Sequence, residues 1–271
     1  MKSTVFLGAG RITGALLAGL QRSRYRGSVV IHDRHPRKLR QLKKLYGVNI
    51  EGNLRRAVER ANLLVIAVRP GSVGALLHEI GRIDRPLVVV SLAAGVPLAN
   101  LRSAFGPRVR WARAMPSPAC RSGRGLTALV FDRHFPSAAK REVKAFFDNV
   151  GPVLEVPERK FNAFTVTYSC SHGYHALATL ASEAGKLGLD RKTALLAAAH
   201  ALADGIVAWR EGSSALETLL GEAATPGGIA AATQKAAHRA GYHRAVAAGL
   251  AAGMKQAGRN AKQAGRRQQP D

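Results

Sequence analysis

The sequence predicts an α/β domain with a doubly wound parallel sheet, followed by an all-α domain. Strand and helix signals alternate through the first half, a glycine turn joins the first strand to the first helix, and alanine-rich helical segments replace the strands from about residue 158. A chain of 271 residues is long enough for two cores. We therefore predict domains at residues 1–157 and 158–263 and a disordered basic tail at 264–271.

Short apolar or β-branched runs that end in Gly, Pro or charged residues predict the strands. These runs are Thr4–Leu7, Ser28–His32, Leu63–Val68, Leu87–Leu92, Val109–Ala112, Leu126–Phe131 and Pro152–Val156. Helical stretches separate them, at Ile12–Gln21, Pro36–Tyr46, Leu54–Ala61, Val73–Ile80 and Ala138–Asn149. Such alternation is typical of βαβ units, which place parallel strands side by side.

The second half contains only helical patterns. We predict helices at Asn162–Leu187, Arg191–Glu211, Ser214–Glu222, Gly227–Ala240 and Arg244–Gln263. Several, such as the stretch Ala194–Ala203, carry apolar residues around much of their circumference. A helix without a polar face needs burial on more than one side. We therefore expect a homodimer formed through these helices.

Composition limits the possible partners and location. The formal net charge is +24, yet the basic residues are scattered, without interleaved aromatic residues or a nucleic-acid-binding motif. We expect no specific nucleic-acid binding and interpret the charge as solvated surface.

No apolar run reaches bilayer length, and the opening apolar stretch is too short for a signal peptide. We expect no membrane association, a cytoplasmic location and reduced thiols at Cys120 and Cys170. The nine histidines are dispersed, which predicts no metal site.

The glycine turn is the first functional signal. Gly8 permits a tight turn after the first strand, and Gly10 lets a pyrophosphate approach the backbone at a helix start formed by Arg11 and Ile12. Thr13 stands at the third fingerprint position, and the glycine follows one place later. The strand–turn–helix context predicts a Rossmann-type dinucleotide site, and the alternative is a plain βα turn.

The end of the second strand bears on the choice of cofactor. An acid there binds the ribose 2′-hydroxyl of NAD, whereas an Arg accepts the 2′-phosphate of NADP. Asp33 is compatible with NAD, or alternatively with a cap for the next helix. Arg34 is compatible with NADP, and three further basic residues add positive charge, namely His35, Arg37 and Lys38. We favour NADP, and NAD stays possible because of Asp33.

Four further segments, in this order, are similar to motifs of the pyrroline-5-carboxylate reductase family. They are Ala67-Val68-Arg69-Pro70, Ser91-Leu92-Ala93-Ala94-Gly95-Val96, Arg113-Ala114-Met115-Pro116 and Ala224-Thr225-Pro226-Gly227-Gly228. Together with the glycine turn, they make the chain resemble that family over most of its length. Enzymes of this family transfer a hydride from a reduced nicotinamide to the C=N carbon of a five-membered cyclic imine.

The resemblance implies roles for individual residues. The cofactor cleft would be lined by Ala67, Val68, Arg69, Pro70, Ala94 and Gly95. The substrate carboxylate would be held by backbone N–H groups at a helix start, at Thr225, Gly227 and Gly228. A turn that only connects two helices is the alternative reading of that segment.

Departures from the family pattern fall in its substrate pocket. The family's Ser-Gly-Ser-Gly-Pro-Ala-Tyr run is replaced by the run from Tyr168 to Tyr174, which places His172 where the family has Pro. A Thr that the family carries after the second glycine is Ala230, and the Asn of its Met-Pro-Asn segment is Ser117 or lost. We therefore predict a divergent substrate pocket.

Tyr168 and His172 are the predicted catalytic residues, because a phenol or an imidazole can replace the missing proton donor. Alternatively, both rings only pack at the start of the helix, and we expect Cys170 to be a small buried filler. The predicted function is NAD(P)H-dependent reduction of a small cyclic imine carboxylate, with pyrroline-5-carboxylate as the default. The alternatives are a reductase of a different cyclic imine in a specialised biosynthetic pathway and a non-catalytic cofactor-binding homologue.

Overall fold

The computed structural model describes residues 3–266, which fall into two compact units. The first, which we call the sheet unit, contains the chain up to Ser169 and again from Gly253 onward. The second, the helical unit, is Cys170–Ala252. The division lies one helix later than the predicted boundary at residue 157, and the end of the last helix returns to the sheet unit. Of the predicted tail, residues 264–266 are helical and residues 267–271 lie outside the described part.

The sheet unit contains eight strands in the order β3-β2-β1-β4-β5-β6-β7-β8. Their bounds are β1 Ser3–Leu7, β2 Ser28–His32, β3 Asn49–Ile50, β4 Leu63–Ile66, β5 Leu87–Ser91, β6 Val109–Met115, β7 Thr127–Phe131 and β8 Val153–Glu155. All neighbours are parallel except β6 and β7, which are antiparallel. The predicted doubly wound parallel sheet is confirmed; β7 and β8 are parallel to each other and run antiparallel to the other six described strands.

Helices cover both faces of this sheet. They are α1 Arg11–Arg22, α2 Pro36–Tyr46, α3 Leu54–Glu59, α4 Pro70–Ile80, α5 Ser137–Asp148, α6 Glu158–Tyr168 and the end of α11 Tyr242–Arg266. Successive strand residues point to opposite faces, so Val5 and Leu7 join one buried cluster while Phe6 joins the other. Burial on both faces explains why the strands are apolar throughout.

The end of α11 is anchored in the sheet unit by side-chain hydrogen bonds. Asn260 Nδ2 donates to the Ala94 carbonyl at 3.0 Å, and Asn100 Nδ2 donates to the Ala261 carbonyl at 2.8 Å. Ala257 and Ala264 are buried. These contacts explain why the chain after Gly253 belongs to the sheet unit.

The helical unit contains α7 His172–Lys186, α8 Arg191–Glu211, α9 Leu216–Glu222, α10 Ile229–Arg239 and the start of α11. The predicted single helix at Asn162–Leu187 is wrong: α6 ends at Tyr168, and Ser171 has a φ of +58° before α7 begins. A left-handed residue interrupts the helical hydrogen-bond pattern. The polar run Ser169–Ser171 therefore separates two helices.

The helical unit buries little of its apolar surface. Its buried cluster consists of Ala181, Ala194 and Ala198. Large apolar side chains are exposed along α8, α9 and the start of α10, namely Leu195, Leu196, Ile206, Val207, Trp209, Leu216, Leu220 and Ile229. Within residues 3–266, no helix combines the length and the hydrophobicity needed to cross a bilayer.

Candidate functional site

A cleft of about 840 Å³ opens in the sheet unit beside the ends of β1, β2 and β4. Ligands of open α/β sheets bind at this edge, where the strand order reverses. The cleft brings together most of the predicted cofactor residues: Gly8, Gly10, Arg11, Ile12, Arg34, Ala67, Val68 and Arg69. Predicted Pro70 is the first residue of α4 and follows them directly.

The glycine turn has the shape that a pyrophosphate site needs. Gly8 has a φ of +116°, and a Cβ there would lie 2.6 Å from the Ala67 carbonyl oxygen. A Cβ at Gly10 would meet nothing within 4 Å. Gly10 caps α1 without a side-chain hydrogen bond, which leaves the first N–H groups of this helix to a ligand.

Thr13 replaces the third glycine of the fingerprint without disrupting the turn. Its side chain is fully buried, and its hydroxyl donates to the Gly8 carbonyl at 2.6 Å. This hydrogen bond satisfies a buried hydroxyl and fastens the first turn of α1 to the end of β1. The departure from the fingerprint therefore stabilises the turn.

Asp33 links the end of β2 to the glycine turn. Its Oδ2 accepts the Ala9 N–H at 2.8 Å, and its Oδ1 accepts the His35 N–H at 2.9 Å and lies 2.8 Å from His35 Nδ1. Burial raises the pKa of Asp33, but the hydrogen bonds from Ala9 and His35 and the charge of Lys38 lower it, and the net pKa lies below its ordinary value of 3.8. Asp33 therefore remains ionised at neutral pH.

Predicted Ala94 and Gly95 do not line the cleft described above. The Ala94 carbonyl is bonded to Asn260 of α11, and Gly95, with a φ of +79°, packs so that a Cβ would lie 2.7 Å from the Ala257 carbonyl. Gly95 therefore allows α11 to approach closely. A cofactor contact at Ala94 and Gly95 stays a prediction.

Tyr168, the last residue of α6, is paired with Ser117. The phenol oxygen lies 3.0 Å from Ser117 Oγ, and the ring packs against Phe164 with centroids 5.3 Å apart. Ser117 Oγ also accepts the Ala119 N–H at 3.3 Å, at the start of the 3-10 helix Pro118–Ser122. The phenol is therefore held at the turn that follows β6, and no sequence pattern indicated this partner.

A second pairing that sequence reasoning missed joins β6 to α6. Arg113 is 1% exposed, and its Nη1 donates to Glu158 Oε1 at 3.0 Å while its guanidinium lies over the Phe161 ring at 4.3 Å. The same Glu158 oxygen accepts the Leu98 N–H at 3.0 Å. Burial lowers the pKa of Arg113, and the charge of Glu158 opposes that shift. The sequence signal that could have indicated this pairing was an Arg within a mostly apolar strand.

The other predicted site residues lie in the helical unit. His172 is the exposed first residue of α7. The Thr225 backbone carbonyl accepts the Gly228 N–H at 2.9 Å. Gly227 has a φ of +77°, and Gly228 caps α10 without a side-chain hydrogen bond. The start of α10 therefore has N–H groups suited to an anion.

The expectation that Cys170 is buried is wrong, because it is exposed. No cluster of three or more metal-ligating side chains occurs in residues 3–266.

The cleft, the glycine turn and the start of α1 define a Rossmann-type dinucleotide-binding protein. Residues 3–95 match the family model described as NADP oxidoreductase, coenzyme F420-dependent. The chain is 33% identical over 212 residues to the pyrroline-5-carboxylate reductase of Mycobacterium leprae, which covers 75% of this chain and 72% of the relative. It is 34% identical over 208 residues to that of Thermus thermophilus, covering 73% and 76%. The chain belongs to the pyrroline-5-carboxylate reductase family.

Solved structures show the same fold. The pyrroline carboxylate reductase of Plasmodium falciparum, determined with NADP bound, superposes with a TM-score of 0.86 at 18% identity, covering 96% of this chain and 98% of that one. The enzyme of Streptococcus pyogenes superposes with a TM-score of 0.87 at 18% identity, covering 94% and 98%. At this identity, the likeness concerns the fold alone.

Proposed function

We propose that this chain is an NADPH-dependent reductase of the C=N bond in pyrroline-5-carboxylate, a small cyclic imine that carries a carboxylate. The observation that carries the proposal is the 33% identity to a pyrroline-5-carboxylate reductase, because it extends over three quarters of the chain. The reaction adds a hydride to the imine carbon and a proton to the imine nitrogen, which gives a cyclic secondary amine.

The cleft fits a dinucleotide with a 2′-phosphate. The pyrophosphate would lie at the first N–H groups of α1, where Gly10 offers no Cβ to obstruct it. Arg34 and Lys38 lie on the cleft lining at the end of β2, where the adenosine ribose is expected. Their positive charges favour NADP over NAD, and the relative from Plasmodium falciparum was determined with NADP bound.

A side chain of the sheet unit would supply the proton for the reaction. A bound reduced nicotinamide supplies the hydride for the imine carbon. The Tyr168 phenol, held by Ser117 at 3.0 Å, would deliver the proton to the imine nitrogen and recover it from water. The carboxylate-binding role that the family resemblance implies for Thr225, Gly227 and Gly228 stays a prediction, and the Gly228 N–H itself already donates to the Thr225 carbonyl at 2.9 Å. His172 is the alternative proton donor.

The proposal extends to assembly and location. The exposed apolar side chains of α8, α9 and α10 support a homodimer formed by the helical unit, since a monomer rarely exposes so many together. A cytoplasmic location fits a substrate and a cofactor that are small and water-soluble. Both statements remain proposals.

The test measures oxidation of NADPH and NADH with pyrroline-5-carboxylate and with a panel of bulkier cyclic imines. We expect the highest kcat/KM with NADPH and pyrroline-5-carboxylate. Turnover of another imine only would mean that the segment from Tyr168 to His172 has changed the specificity. NADPH binding without any turnover would favour the non-catalytic homologue.

A further inference from the structure

Asp33 occupies the position at which a dinucleotide-binding domain ordinarily contacts the ribose 2′-hydroxyl. Both carboxylate oxygens of Asp33 already have partners in this chain. Oδ2 accepts the Ala9 N–H, and Oδ1 accepts the His35 N–H and lies beside His35 Nδ1. The Asp33 side chain is only 12% exposed. Three hydrogen-bond contacts of the Asp33 carboxylate are therefore made within the protein.

The contact with Ala9 fixes the shape of the glycine turn. Ala9 is buried between Gly8 and Gly10, so its N–H needs a protein acceptor. The preceding N–H, from Gly8, donates to the His32 carbonyl at 2.8 Å. Two successive N–H groups of the turn are thus bonded to the end of β2. The residues that follow, Gly10, Arg11 and Ile12, line the cleft.

Arg34 differs from Asp33 in both its exposure and its chemistry. It is exposed and lines the same cleft, and its guanidinium can bind a phosphate through two parallel hydrogen bonds. Only NADP carries a phosphate on the ribose 2′-oxygen. Arg34 can therefore distinguish the two dinucleotides, whereas the turn held by Asp33 contacts the pyrophosphate that both contain.

We propose that Asp33 is a positioning residue that fixes the pyrophosphate-binding turn through Ala9 and supports NADPH and NADH equally, which leaves the preference for NADPH to Arg34 and its basic neighbours. The inference rests on the proposed function only for dinucleotide binding and does not depend on which imine is reduced. It reverses the usual interpretation of an acid at this position, which is preference for NAD.

The experiment determines the dissociation constants of NADPH and NADH, without imine, for the wild-type chain and for Asp33→Ala, Asp33→Asn and Arg34→Ala. Asp33→Ala should raise both constants by the same factor, on the order of tenfold, which corresponds to one charge-assisted hydrogen bond. Arg34→Ala should raise the NADPH constant by about tenfold and change the NADH constant by less than about twofold. Amide hydrogen exchange at Ala9 should accelerate in Asp33→Ala.

A weaker NADH complex in Asp33→Ala with unchanged or tighter NADPH binding would overturn the proposal, since it would make Asp33 a ribose ligand. Asp33→Asn keeps an acceptor for the Ala9 N–H, so it should recover part of the affinity for both dinucleotides. Equal losses in Asp33→Asn and Asp33→Ala would contradict the proposal. If the wild-type chain binds NADPH but reduces no imine, the proposed function is refuted. The dissociation constants of the variants would still test the role of Asp33.

Discussion

The Tyr168 phenol oxygen lies 3.0 Å from Ser117 Oγ, which joins the end of α6 to the turn after β6. Ser117 is in turn bonded to the backbone of Ala119. The phenol therefore has a fixed partner, and its position depends on two elements that are distant in sequence. A proton donor benefits from such orientation, because proton transfer requires hydrogen-bond geometry.

Replacing Tyr168 by Phe should reduce kcat for imine reduction by about 10²- to 10⁴-fold, the contribution typical of a general acid. The ring would keep its packing on Phe164, so the fold and NADPH affinity should change little. Steady-state kinetics and NADPH titration of the variant check both expectations.

Ser117→Ala and His172→Ala are the matched controls. The first leaves the phenol but removes its partner, so kcat should fall by about tenfold or less. The second should be nearly neutral if Tyr168 donates the proton. Full activity in Tyr168→Phe together with lost activity in His172→Ala would assign the role to His172.

The glycine turn offers two substitutions with opposite expected effects. Gly8→Ala places a Cβ 2.6 Å from the Ala67 carbonyl at a φ of +116°, so it should destabilise the chain by about 2 kcal/mol or more. Gly10→Ala enters open space and should change the free energy of unfolding by less than about 1 kcal/mol. It should nevertheless weaken NADPH binding at least about tenfold, because its methyl group lies where the pyrophosphate approaches.

Thermal unfolding and NADPH titration of both variants test this contrast. Tight NADPH binding by Gly10→Ala would place the pyrophosphate elsewhere. An unchanged unfolding temperature for Gly8→Ala would contradict the close approach of the two turns.

The lowered pKa of Asp33 predicts a pH-dependent stability. Since its folded pKa lies below 3.8, ionised Asp33 stabilises the folded chain above that pH, and this contribution is lost as the pH falls through the folded pKa. The unfolding midpoint of Asp33→Ala should therefore lie below that of the wild type at neutral pH, and the difference should shrink in acid. A difference that stays constant with pH would contradict the ionic role of Asp33.

The Arg113–Glu158 pair should matter for stability. Glu158→Gln removes the charge that faces a buried guanidinium, and we expect a loss of about 2 kcal/mol, less than the 3–5 kcal/mol typical of fully buried pairs because Glu158 is partly exposed. Asp84→Asn, in the exposed Arg82–Asp84 pair, is the control and should leave the unfolding midpoint unchanged. Equal losses of stability in Glu158→Gln and Asp84→Asn would contradict the expectation that the pair with the buried guanidinium contributes more than the exposed pair.

The proposed homodimer predicts a specific response to charge. Ile206, on α8, is 57% exposed, and Ile206→Glu should produce monomers, because a buried unpaired carboxylate disfavours an apolar interface. Leu45, on α2 of the sheet unit, is 56% exposed, and Leu45→Glu should leave the dimer intact. Sedimentation equilibrium separates these outcomes, and a wild-type monomer would contradict the assembly.

Local patterns predicted most of the fold. The predicted helix Arg191–Glu211 has the same bounds as α8, because Asp190 caps it with side-chain hydrogen bonds and Gly212 follows it. The two-residue strand β3 was missed, since Asn49–Ile50 is too short to show a strand pattern. The reversal of β7 and β8 was also missed, because an apolar run does not reveal the direction of its strand.

The site was predictable where the chemistry is local. The glycine turn and the segment Ala67–Arg69 meet in one cleft, as the strand–turn–helix pattern indicated for the first and the family resemblance implied for the second. The pairs Asp33–Ala9 and Tyr168–Ser117 span 24 and 51 positions, so tertiary packing decides them. Sequence reasoning therefore identified the residue types and missed which groups each side chain contacts.

The stoichiometry of the reaction with pyrroline-5-carboxylate and NADPH tests the proposed reductase activity most directly. We predict that one molecule of proline forms for each NADPH oxidised, at a rate that Tyr168→Phe greatly reduces. Tight NADPH binding without proline formation would contradict the proposed reductase activity.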